Sequence, residues 1–184
     1  MKKSIIYLTG FMAAGKSTIG PILANTIGWS FLDIDRVIEE KEEKKITQIF
    51  SEKGEEYFRE IENRVLIELS SLLNHIIALG GGTIASDNNL KIIKQTGLLI
   101  YLKSSTETAY KRLRFKRDRP ALLFDGEDEP SKEIFTNRIN ELLNSRRQYY
   151  EKSDYIIDTD NIPVGKTVDK LASILIKEKL INEI

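Results

Sequence analysis

The chain has 184 residues, 41% of them hydrophobic, with 28 basic and 28 acidic side chains that cancel to a formal net charge of zero. That length and apolar content suit a single domain with a real core, and the balanced charge argues against nucleic acid as a partner. The lack of cysteine excludes disulfides and thiolate zinc sites, and no apolar stretch approaches the ~20 residues of a membrane span.

The first predicted strand, Ser4–Thr9, follows Lys2 and Lys3 and is too short for a signal peptide. It leads directly into Gly10, Phe11, Met12, Ala13, Ala14, Gly15, Lys16, Ser17 and Thr18, with a helix predicted over Ser17–Ile27. This is the G-x-x-x-x-G-K-[ST] phosphate loop in its strand–loop–helix setting. Gly10 and Gly15 let the backbone wrap several N–H groups around one anion. The helix behind them directs its N-terminal dipole at the same point. Lys16 is placed to reach the β- and γ-phosphates of a nucleoside triphosphate and Ser17 to ligate Mg²⁺. Ala13, Ala14, Gly15 and Thr18 complete the expected nucleotide-binding set.

The second strand, Phe31–Ile34, ends at Asp33, Ile34 and Asp35. Strand alternation puts both carboxylates on one side of the rim. One suits Mg²⁺ through its waters, and the other suits an attacking hydroxyl. A pair of helix-capping aspartates is the plainer reading. Phe58, Ile61, Val65, Leu66, Leu69 and Leu72–Leu73 then recur at helical spacing, with Arg59 and Glu62 three apart on one face. That pair is either surface decoration or an arginine held rigid to clamp a substrate carboxylate.

The third strand, His75–Leu79, runs into Gly80, Gly81, Gly82 and Thr83. His75 is read as structural. Three bare glycines imply close approach of a ligand, with a loose turn as the alternative. After the fourth strand, Leu98–Leu102, the segment Arg112–Pro130 turns from basic to acidic, contains two prolines and lacks periodicity. It reads as a mobile lid that brings arginines over phosphates, the alternative being a solvated connection. The helix Ser131–Tyr149 carries Arg146 and Arg147, and spacing alone does not say which faces the site. Trp29, Tyr149 and Tyr150 read as packing residues. Tyr155–Ile157 is the last strand, and Val168, Leu171, Ala172, Leu175 and Ile176 mark the last helix. Strands alternating with helices predict a three-layer α/β/α fold on a parallel sheet, with ligands beyond the carboxyl ends of the strands.

Taken together, the motifs GFMAAGKSTIG at 10–20, FLDID at 31–35, GEEYFREIE at 54–62, LGGGT at 79–83, RPALL at 119–123 and Arg146/Tyr150 as R-x-x-x-Y resemble those of the shikimate kinase family, in order and over almost the whole chain. The resemblance implies one P-loop kinase domain over residues 1–184, with a five-stranded parallel sheet in the order 2-3-1-4-5. A substrate-binding region would span 33–62 and a lid about 112–130. It implies cytoplasmic transfer of phosphate from ATP to the 3-hydroxyl of shikimate, with Mg²⁺ as cofactor, in a monomer needing neither nucleic acid nor membrane. Lys16 would stabilise the transferring group, and Ser17 and, through water, Asp33 would serve the metal. Asp35 would bind the substrate hydroxyls and act as base. Arg59, oriented by Glu62, would hold the carboxylate with Arg146, beside Gly80, Gly81 and Gly82. Arg119 would lie over the phosphates and Arg112 against adenine, which the Asp158–Pro163 turn would flank.

Three features depart from the family pattern. Ala13 stands where glycine is common, at a free position of the motif, and little consequence is expected. Pro21 stands where arginine is usual, and the expectation is either a local kink near Ser17–Pro21 or a site close enough to the first turn to escape one. The segment after Tyr150 and the turn at Asp158–Pro163 are short against the family. A regulatory GTPase would also need D-x-x-G and N-K-x-D. No glycine here has aspartate three residues before it, and no Asn-Lys pair occurs. A kinase of gluconate or of a nucleoside monophosphate would keep the fold and lid without needing Asp35, Arg59 and Arg146 beside three glycines. A catalytically silent relative would have no need of Lys16, Ser17, Asp35 and Arg119 together.

Overall fold

Alternate residues of the central strand point to opposite faces of the sheet, and both faces are apolar. In β1 (Ile5–Thr9), Ile5 and Tyr7 join one buried cluster while Ile6 and Leu8 join another. The computed structural model describes residues 4–114 and 131–182. Arg119 and most of the expected lid lie outside those residues. Around β1, the strands β2 (Ser30–Asp33), β3 (His75–Ala78), β4 (Leu98–Lys103) and β5 (Tyr155–Asp158) form one parallel sheet in the order β2-β3-β1-β4-β5. This is the order the resemblance implied. Chain reversal between parallel strands requires crossovers, and each crossover here contains at least one helix.

The helices divide between the two faces by the same apolar logic. On one side α1 (Lys16–Ile27) and α7 (Val164–Lys177) bury Ile19, Leu23, Val168, Leu171 and Leu175 against Ile6, Leu8, Ile100 and Ile157. On the other, α2 (Ile34–Glu42), α3 (Ile46–Leu69) and α4 (Asp87–Thr96) pack Ile38, Phe58, Leu66 and Ile93 against Tyr7, Ile77 and Leu99. A third cluster joins α5 (Thr106–Leu113) to α6 (Lys132–Tyr150). It traps Phe11 among Ala109, Leu113, Phe135 and Ile139. The phosphate loop is therefore pinned by its own aromatic residue. No helix among the described residues is long and apolar enough to cross a membrane.

Several boundaries differ from expectation, and two of the differences bear on the site. The helix read from Phe58 onward begins at Ile46, with a break at Gly54 (φ 80°), and ends at Leu69, so Leu73 is exposed. The second strand stops at Asp33, and Ile34 already belongs to α2.

The kink expected near Pro21 does not interrupt α1, which runs from Lys16 to Ile27 with Pro21 inside it. Pro21 is exposed, so its ring meets solvent and not the sheet. It still brings no N–H to the Ser17 carbonyl. Pro21→Ala should stabilise the protein by about 2 kcal/mol. This is the ~3 kcal/mol interior cost of proline less the ~1 kcal/mol it returns by restricting the unfolded chain. Denaturant unfolding measures it, and an unchanged or lower midpoint would show that the helix already accommodates the ring at no cost.

Candidate active site

The loop between β1 and α1 is stretched across the mouth of the sheet. Gly15 caps α1 at φ 104° with no side-chain capping bond, so the positive end of the helix dipole opens into the cleft. Lys16 Nζ donates to the carbonyls of Gly10 (2.8 Å) and Phe11 (3.3 Å), which holds the ammonium over the loop. Ala13, expected to be a position of little consequence, has φ 60°. That left-handed angle costs an L-residue about 1–2 kcal/mol and explains why glycine is at home there. Its carbonyl accepts from Arg112 Nη1 at 2.8 Å, so Arg112 reaches the phosphate loop from α5. Ala14 offers its carbonyl to Thr159 Oγ1 at 3.4 Å, which ties in the end of β5.

Asp33 and Asp35 reach the cleft by a different route from the alternation expected of a strand. Asp33 is the N-cap of α2: its Oδ1 accepts the Asp35 N–H at 3.1 Å while its Oδ2 accepts the Ser17 hydroxyl at 2.8 Å. The plainer reading holds for Asp33, which caps the helix, and not for Asp35, which lies inside its first turn. Asp35 sits in the first turn of α2 and points at the glycine loop. A Cβ built on Gly80 would lie 2.8 Å from its Oδ1. Ser17 and Asp33 present two oxygen donors, the hard ligands that suit Mg²⁺, at the positive end of α1.

The cationic half is organised by Glu62, which is 1% exposed. Its Oε2 accepts from Arg59 Nη1 at 2.8 Å and its Oε1 from the Thr83 hydroxyl at 2.6 Å. Thr83 is held in turn, because its carbonyl accepts from the amide of buried Asn89 at 2.9 Å. Asn63, next to Glu62 on α3, closes the ring by donating to Asn89 at 2.6 Å. Burial alone would lower the Arg59 pKa, but the carboxylates of Glu62 and Glu55 outweigh it and leave it raised. Surface decoration does not describe this pair.

Each of the three glycines leaves room for at least one side chain of the cleft. At Gly80 an added Cβ would meet Asp35, Thr83 and Glu62 oxygens at 2.8, 2.9 and 3.0 Å. At Gly81 it would lie 3.3 Å from Arg146 Nη1, and at Gly82 it would lie 2.9 Å from Arg59 Nη2. The triple glycine is thus a cradle and not a loose turn. Arg146 is half-buried and lines the cleft, whereas Arg147 is exposed and acts electrostatically on Tyr101.

These groups line one cleft of about 1790 Å³, larger than the ~300–1,000 Å³ of a pocket for one small ligand. Its far end is walled by Thr159, Ile162, Val164 and Thr167, where the Asp158–Pro163 turn was expected to lie. Beside Arg112, hydrogen bonds from Ser105 and Thr108 and the guanidinium itself overcome desolvation and lower the Asp160 pKa. Arg138 also lines the cleft, two turns before Arg146 on α6, and the sequence reading did not single it out. The i, i+4, i+8 spacing of Arg138, Leu142 and Arg146 was the signal available. Thr83 and Asn89 were overlooked as supports because their partners lie far away in the chain.

A family model for shikimate kinase matches residues 12–176. A shikimate kinase of Chloroherpeton thalassium is 44% identical over 170 residues, which span 92% of this chain and 91% of that protein. Another, of Chlorobaculum parvum, is 45% identical over 168 residues and covers 91% and 90% of the two chains. Among solved structures, shikimate kinase from Acinetobacter baumannii in complex with shikimate aligns with a TM-score of 0.88 at 33% identity, over 96% of this chain and 95% of that one.

The two carboxylates that hold Arg59 should differ in their contribution to stability. Thr83→Val leaves a fully buried Glu62 oxygen without a donor and should cost about 1–3 kcal/mol in denaturant unfolding. Glu55→Ala removes an exposed partner of the same arginine and should cost under about 1 kcal/mol. Equal losses would refute the organising role of Glu62.

Proposed function

This chain belongs to the shikimate kinase family, and from that premise we propose how its own residues carry the phosphorylation of shikimate by ATP. The observation that carries the reading is the convergence of Asp35, Arg59 and Arg146 on three consecutive glycines, in the same cleft as the phosphate loop. A carboxylate that can accept a hydroxyl proton beside two arginines fits a small hydroxylated acid. The adjoining loop fits a triphosphate.

Arg59 and Arg146 bind the shikimate carboxylate, and the rigidity Arg59 gains from Glu62 makes it a fixed fork. Backbone N–H groups of Gly80, Gly81 and Gly82 face the ring. Asp35 orients the 3-hydroxyl and takes its proton as the oxygen attacks the γ-phosphorus. The bond to the β-γ bridging oxygen breaks and ADP leaves. Ala13, Ala14, Gly15 and Thr18 wrap the phosphates, and Lys16 neutralises charge as the loose transition state forms. Arg112 borders the nucleotide, and Arg119 is assigned to the phosphates by family likeness. Ser17 and, through water, Asp33 would hold Mg²⁺, which would supply charge neutralisation and orientation of the phosphates when bound. Positioning and positive charge are what such a reaction needs. We further propose that one kinase domain acts as a cytoplasmic monomer without nucleic acid or membrane.

ADP release with Mg-ATP should depend on shikimate and not on gluconate or nucleoside monophosphates. Arg59→Ala should raise the KM for shikimate about 100-fold or more, equivalent to ~3 kcal/mol. The KM for ATP should stay within about twofold. Loss of ATP affinity instead would move Arg59 out of the carboxylate clamp.

A further inference from the structure

The loop that cradles the arginines is a β-turn, with the Thr83 N–H donating to the Gly80 carbonyl at 3.2 Å. Its central peptide joins Gly81 to Gly82. In β-turns this is the peptide that reverses between type I and type II, and type II needs φ near +80° at the second central residue. Glycine permits that angle freely, so a Gly-Gly centre cannot choose between the two orientations. Neither Gly81 nor Gly82 has a positive φ here. Something outside the turn holds the choice.

The Tyr150 hydroxyl donates to the Gly81 carbonyl at 2.7 Å. Tyr150 is 1% exposed and ends α6, and its ring stacks on Tyr101 at 4.8 Å between centroids and 13° between planes. Both rings belong to the core, so the hydroxyl is a fixed point. Burial pushes its pKa up to about 12, against a smaller opposing pull from Arg146, and it stays a donor at any working pH. The peptide is trans, so drawing its carbonyl onto Tyr150 aims the Gly82 N–H the opposite way. Among the described residues that N–H donates to no protein group. Gly81 and Gly82 line the cleft.

We propose that Tyr150 is a positioning residue that locks the Gly81–Gly82 peptide in one of two accessible orientations and so presents the Gly82 N–H to the acceptor substrate. The lock sits on the same helix as Arg146, one turn on, so one rigid element sets both the arginine and the backbone donor. The inference rests on the acceptor half of the reading above.

Tyr150→Phe removes one oxygen and keeps the stacked ring. In ¹⁵N-labelled, ligand-free protein the Gly82 amide resonance should shift or broaden as the peptide gains its second orientation. The KM for shikimate should rise about tenfold while the KM for ATP stays within twofold. Tyr101→Phe removes a hydroxyl from the same stack and should change neither readout. An unmoved Gly82 amide, a parallel rise in both KM values, or an equal response to Tyr101→Phe would overturn the lock. The amide comparison needs no substrate. If the wild-type enzyme failed to phosphorylate shikimate, the functional reading would fall while the lock was still decided by that resonance.

Discussion

The acceptor half of the cleft depends on a carboxylate that has left water. Glu62 gives up hydration at 1% exposure, a loss that uncompensated would exceed several kcal/mol. Two donors compensate for it, Arg59 from its own helix and Thr83 from the glycine loop. A buried ion that must be matched at both oxygens tolerates little displacement of either donor. The same requirement therefore fixes the distance between α3 and the loop after β3, and with it the relation of Arg59 to Gly82. Asn89 and Asn63 extend the constraint to α4 without adding another charge.

The donor half obeys a different rule. There the backbone does the work, and side chains chiefly hold the backbone in place. Phe11 is buried under the loop, Arg112 and Thr159 bond to loop carbonyls, and Lys16 spans it. The two halves share one atom group directly, the Asp33 carboxylate, which accepts from Ser17 on one side and from the α2 backbone on the other. A phosphate loop and the helix that carries Asp35 are thereby tied together by a single short side chain.

Much of this was legible in the chain. The phosphate loop, the strands and the layer order follow from local spacing, or from motifs whose order resembles one family. The failures have local physical causes. Asp33 and Asp35 were placed by the two-residue period of a strand, but an aspartate that can cap a helix ends the strand at once. Ala13 looked free because a motif records residue types and not backbone angles, and its φ of 60° is visible only in three dimensions. Arg146 and Arg147 could not be separated because a helix turn of 100° per residue leaves neighbours ambiguous until the packing face is known. Tyr150 was correctly read as core, yet its hydroxyl had a partner 69 residues away that no periodicity encodes.

The three glycines carry an implication for how such a site changes over generations. Any replacement adds an atom where a functional side chain already lies, most severely at Gly80, whose neighbours are oxygens of Asp35, Thr83 and Glu62. At Gly80 and Gly82 the added atom falls within 3.0 Å of a side chain, which must shift, whereas at Gly81 Arg146 has only to give slightly. Positions such as Phe50 or Arg138 line the same cleft and are not among the nearest neighbours of the three glycines, so a change there leaves those contacts in place. Of the three positions Gly80 is the most confined, because its neighbours are oxygens on three separate elements of the site.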